Sequence, residues 1–91
     1  MSAIVVSKVM RPQRRDIYSV IMDDYGAEMH VSTPVTMAKA DRDAKVKAAI
    51  TAMDNGQSEM EAQAKVEGMD ISALKTAGLA KRAARMEGGQ K

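Results

Sequence analysis

Near residue 36 the chain changes its hydrophobic period, from Val/Ile-rich segments that repeat every second residue to Ala-rich segments that repeat every 3.6. The first period fits a strand with one buried face and the second fits a helix with one buried stripe, so sheet comes first and helices follow. That order points to an α+β fold, a small antiparallel three-stranded β-meander followed by two to three helices. Residues 3–11 and 16–22 carry the β-branched runs, and Pro12 separates them because proline cannot donate to a ladder. The second run leads into Asp23-Asp24-Tyr25-Gly26, after which residues 27–31 resume alternation. This spacing predicts a hairpin with Gly26 in the left-handed region.

The helical part is expected over residues 38–54, 58–67 and 71–86. Asn55-Gly56 reads as a stop after the first helix, and Ser58-Glu-Met-Glu61 as a capping box opening the second. Gly68 ends that segment, and Asp70 or Ser72 caps the next. Asp41 with Lys45 and Asp43 with Lys47 are acid-before-base pairs four apart, a spacing that supports a helix surface. At 91 residues the chain is expected to be a single domain over 1–91, with a β-rich part (1–36), a helical part (37–87) and a frayed tail (88–91).

Large aliphatic residues are scarce: Ile, Val and Leu number 15, against 15 Ala and 9 Met. Ala-rich helices bury little area each, so the helical half is short of stabilising burial and expected to pack on another chain. Methionine suits either an irregular core or an adaptable contact surface. The absence of cysteine excludes disulfides, thiolate metal sites and cysteine nucleophiles. With no apolar run near the 18 residues that a membrane span requires and no secretory pattern at the start, the expected location is cytoplasmic, with no membrane association. Tyr18 and Tyr25 are the only aromatic residues, too few for a base-stacking platform.

Charge is unevenly spread: residues 57–70 carry a net −3 and residues 71–91 a net +4. Residues 60–79 resemble a helix-turn-helix, with Ala64, Gly68, Met69, Leu74 and Ala77 at the positions where two helices cross closely. The resemblance implies that Leu74 and Ala77 are buried and that Lys75, Lys81, Arg82 and Arg85 lie along a DNA-facing helix. Against it stand Glu67, at a position where the motif often has an aliphatic residue, Glu59 and Glu61, which would face a phosphate backbone, and Gly78, which weakens a recognition helix by about 1 kcal/mol. Basic residues in a helix's last turns equally complement its dipole. Arg11, Arg14 and Arg15 form a second basic cluster between the first two strands; if it met the first on one face, the nucleic-acid reading would gain weight.

His30, with Asp23, Asp24 and Glu28, is the one grouping that could move protons or bind a metal, and an alternating strand places His30 beside Glu28 on a solvent face. No phosphate-cradling loop, His-Glu-x-x-His or nucleophile elbow occurs. No catalytic, cofactor-binding or metal-binding residue is therefore assigned. The expected function is that of a small non-enzymatic interaction or regulatory protein, of accessory or viral type, binding another protein or itself through its Ala/Met-rich helical half. The alternative is a DNA-binding regulator acting through residues 58–86.

Overall fold

The computed structural model describes residues 2–89. Strands β1 (Ile4–Arg11), β2 (Asp16–Met22) and β3 (Glu28–Pro34) form an antiparallel sheet in the order β1-β2-β3, followed by helices α1 (Lys39–Glu67) and α2 (Ser72–Gly89). The fold is therefore α+β, a β-meander followed by two helices. Strand β3 runs past the expected end at residue 31, through Pro34, which sits opposite Asp16 at the sheet edge, where a missing N–H costs no ladder bond. The link between β1 and β2 closes with the amides of Arg14 and Arg15 donating to the carbonyls of Arg11 and Pro12, and Arg15 adopts φ 50°.

A bulge in β1 decides which side chains meet which helix. Val5 pairs with Ile21, but the next partner of Val20 is Ser7, so Val6 is extra and the strand changes parity. Ala3, Val5, Ile21 and Val31 consequently share one face with Met53, Val46, Ala49 and Ile50 of α1. Ile4, Val6, Tyr18, Val20 and Met22 share the other with Met86 of α2. Beyond the bulge, Lys8 rather than Val9 faces α1, and Val9 is left exposed on the other side.

Helix α1 runs antiparallel to β1 and is tied to its start by Asp54, which accepts hydrogen bonds from the Ala3 amide (2.6 Å) and the Ser2 hydroxyl (3.0 Å). The expected stop at Asn55-Gly56 is overridden: α1 is one unbroken helix of 29 residues, and the capping box at Ser58 and Glu61 does not form. The anchors explain this. Met53 is in the core, Asp54 holds β1 and buried Gln57 holds the β2–β3 turn, so both sides of Gly56 are fixed by contacts worth more than the roughly 1 kcal/mol that a helical glycine costs. Glu61 instead accepts a hydrogen bond from Tyr25. Near the helix start, Asp43 pairs backwards with Lys39 (2.7 Å), not forwards with Lys47.

Helix α1 ends at Gly68 (φ 70°), whose amide donates to the Lys65 carbonyl while that of Met69 reaches Ala64 (2.8 Å), closing the last turn as a left-handed glycine cap does. Asp70 then accepts from both the amide and the hydroxyl of Ser72 to open α2, which extends to Gly89 and so takes in the first part of the expected tail. The remainder of that tail, Gln90 and Lys91, lies outside the described residues. The molecule measures 48 × 27 × 17 Å with a radius of gyration of 14.9 Å. A compact chain of this length would have a radius of about 12 Å, so the helices project well beyond the sheet.

Two glycine substitutions test this arrangement. A Cβ at Gly56 meets nothing within 4 Å, so Gly56→Ala should stabilise by about 0.5–1 kcal/mol in urea unfolding. A Cβ at Gly78 would collide with the backbone of Tyr25 and lie 2.6 Å from the Asp24 carbonyl oxygen, so Gly78→Ala should destabilise by about 1–3 kcal/mol. Destabilisation by Gly56→Ala would instead mean that α1 breaks there.

Candidate functional site

The β2–β3 turn is where both helices meet the sheet. Asp23 organises it from within: its carboxylate accepts from the amides of Tyr25 and Ala27, both at 2.9 Å, and Gly26 supplies the left-handed residue at φ 81°. With those amides satisfied, Asp24 is free to point into the junction between the two helices, where it has no exposure to solvent.

Both helices bind it, α1 through a neutral amide and α2 through positive charge. From α1, Gln57 accepts the Asp24 amide (3.1 Å) and donates Nε2 to the carboxylate (2.9 Å). From α2, Arg82 donates to the other carboxylate oxygen at 3.0 Å, and the Lys75 ammonium lies 3.9 Å away. Next to this clamp Tyr25 donates to Glu61 (2.7 Å), and that carboxylate pushes the phenol up to about 12. Lys75 also approaches Glu61, at 4.0 Å, which joins the acidic end of α1 to the basic α2.

A second set of charges lies on the α2 side of the sheet. Glu28 receives Arg85 at 2.9 Å and Lys81 at 3.9 Å, while Lys81 also donates to the Gly26 carbonyl. The hydrogen bond from Arg85, followed by that from His30, holds the Glu28 carboxyl below its ordinary range. His30 sits beside Glu28 as its strand position implies, with Nε2 at 3.1 Å, and its Nδ1 shares a short hydrogen bond with the Tyr18 hydroxyl. Asp23 and Asp24 point elsewhere, and among the described residues no group of three or more acidic or His side chains is placed to hold a metal. At the far end of the same face Arg11 stacks 4.0 Å over the Tyr18 ring and binds Asp16 through two nitrogens.

Every candidate contact residue on α2 therefore faces a carboxylate: Lys75 and Arg82 face Asp24, and Lys81 and Arg85 face Glu28. Arg11 is engaged by Asp16, whereas Arg14 and Arg15 are exposed in the β1–β2 link. The two basic clusters lie at opposite ends of β2, about 20 Å apart at strand rise, and do not merge into one patch.

The helix-turn-helix spacing is realised only in its turn. Ala64 is buried and Gly68 is left-handed, but Leu74 and Ala77 face outward. The cause is Gly78, which brings α2 against the backbone of the hairpin turn and so orients Lys75, Gly78, Arg82 and Met86 inward. Those residues recur at helical spacing on one side, which leaves Leu74 on the other. Sequence reasoning missed Gln57, Glu61 and Gly78 as members of this junction; the available signal was the inward stripe itself, two cations three and four residues either side of a glycine. Comparison with known protein families, with curated proteins and with solved structures found no match to this chain. No helix among the described residues is long and apolar enough to cross a membrane.

The Arg11–Asp16 pair sets a pH dependence. The Arg11 hydrogen bond, then that of Ser32, lowers the Asp16 carboxyl from its ordinary 3.8 to about 2. A depressed folded-state value stabilises above the ordinary one and is lost as pH falls through the folded one. The stability gap between the native protein and Asp16→Asn, followed by thermal melting, should thus be widest above about pH 4 and narrow towards pH 2. A gap independent of pH would show that Asp16 is not ionised in that pair.

Proposed function

We propose that this is a small non-enzymatic interaction protein that binds another protein or a second copy of itself through its helical half. The observation that carries this reading is the apolar surface around the α1–α2 elbow. Val66 is 84 % exposed, Leu74 59 % and Met69 58 %, and Met60 is exposed nearby. A chain with so few large aliphatics gains most by burying each one, and these side chains lie outside both of its core clusters. Val66, Met69 and Leu74 lie within nine residues of one another across the elbow, and exposed large apolar groups so close in the chain are candidates for a contact site. The adaptable thioethers of Met60 and Met69 suit such a surface.

The competing duplex-DNA reading needs Lys75, Lys81, Arg82 and Arg85 to meet phosphates, and each would first have to leave a carboxylate. A DNA partner would also leave Val66 and Leu74 in water. Sedimentation equilibrium across a wide concentration range tests the proposal. The native protein should gain mass with concentration, and Val66→Asp combined with Leu74→Asp should return it to a monomer with an unchanged melting temperature, since neither side chain contributes to the core. A monomer at every concentration that binds duplex DNA at nanomolar levels would overturn it.

A further inference from the structure

A different part of the molecule carries a separate inference. Between the first half of α1 and the β1–β2 face lies an open cavity of about 390 Å³, within the range of small-molecule sites. Its floor is the uncovered margin of the α1-side core, formed by Val5, Val46 and Ile50. Its rim is cationic: Lys8 from β1 and Arg42 and Lys47 from α1. The single acidic group there, Asp43, is occupied by Lys39 at 2.7 Å, and this hydrogen bond, the largest cause, keeps its carboxyl below the ordinary range. Ser19, only 2 % exposed, adds a polar side chain to the wall.

Arg42 is incompletely satisfied. One terminal nitrogen donates to the Met37 carbonyl (2.9 Å), while Nε is buried without an acceptor among the described residues. A buried donor left without an acceptor is destabilising, and such groups in folded proteins generally have a partner. Nε together with a terminal nitrogen is also the donor pair with which a guanidinium grips a carboxylate side-on. Arg42 itself lines the cavity.

We propose that this cavity binds a small aliphatic carboxylate, its chain lying on Val5, Val46 and Ile50 and its carboxylate held by Arg42 with Lys8 and Lys47. The parity change at the β1 bulge is what delivers Lys8 to this face at the position opposite Ser19. A purely apolar ligand would leave the three cations unused, and an inorganic anion would leave the floor wet.

Titration with octanoate, followed through methyl resonances and by calorimetry, tests this, with octanol and inorganic phosphate as controls. Octanoate should shift the methyls of Val5, Val46 and Ile50, and both controls should bind far more weakly. Lys8→Gln with Lys47→Gln, both exposed positions, should weaken octanoate by about tenfold or more, as expected for lost charge-assisted contacts, with the melting temperature unchanged. Absence of shifts at those methyls, octanol binding as tightly as octanoate, phosphate binding as tightly as octanoate, or unaltered affinity in the double variant would each overturn the proposal.

Discussion

A carboxylate with no exposure to water must find hydrogen bonds and countercharge in whatever surrounds it, and Asp24 takes them from both helices at once. Gln57 reaches it from the middle of α1 and Arg82 from the second half of α2, while the hairpin turn that carries it is locked by Asp23. Removing one member of a buried charge pair strands the other, a cost of about 3–5 kcal/mol that is a large fraction of a small domain's stability. The apolar contacts alone do not define this geometry, because they form two small clusters on opposite faces of a three-stranded sheet. The turn clamp connects the helices that cover those faces.

The same clamp redistributes charge. The sequence separates an acidic segment from a basic one, and the fold brings them together at Glu61 and Lys75, with Arg82, Lys81 and Arg85 turned towards Asp24 and Glu28. Cations that in a linear reading look available to a polyanion are held by carboxylates of their own chain. The outward side of α2 carries Leu74, small residues and Glu87, while Val66 near the end of α1 and Met69 just beyond its cap are exposed. Cations paired with carboxylates of their own chain, beside exposed apolar side chains, are not what a DNA-facing helix presents, and this underlies the proposed interaction role.

The strands were legible because their signals are local: β-branched runs, Pro12 between them, and Gly26 where the turn needs positive φ. The Gly68 cap was legible for the same reason. The continuity of α1 was not, since Asn55-Gly56 looks like a stop until Met53, Asp54 and Gln57 are known to be anchored by residues more than 20 positions away. The face of α2 was misread because Gly78 counts as a weakness in an isolated helix and becomes the point of closest approach only when the Tyr25 backbone lies against it. The β1 bulge leaves no clear mark in a strand of consecutive apolar residues, so the side on which Lys8 lies could be fixed only by the pairing with β2.

The most direct test of the central role of Asp24 is a double-mutant cycle in urea unfolding with Asp24→Asn, Arg82→Met and the pair of changes together. Each single change should be strongly destabilising, and the pair should cost less than the sum of the two by about 0.5–3 kcal/mol, because the second removes a charge that the first has already stranded. Additive effects within about 0.5 kcal/mol, or single changes that leave stability at its native value, would show that the two helices are held to the hairpin by something other than this carboxylate.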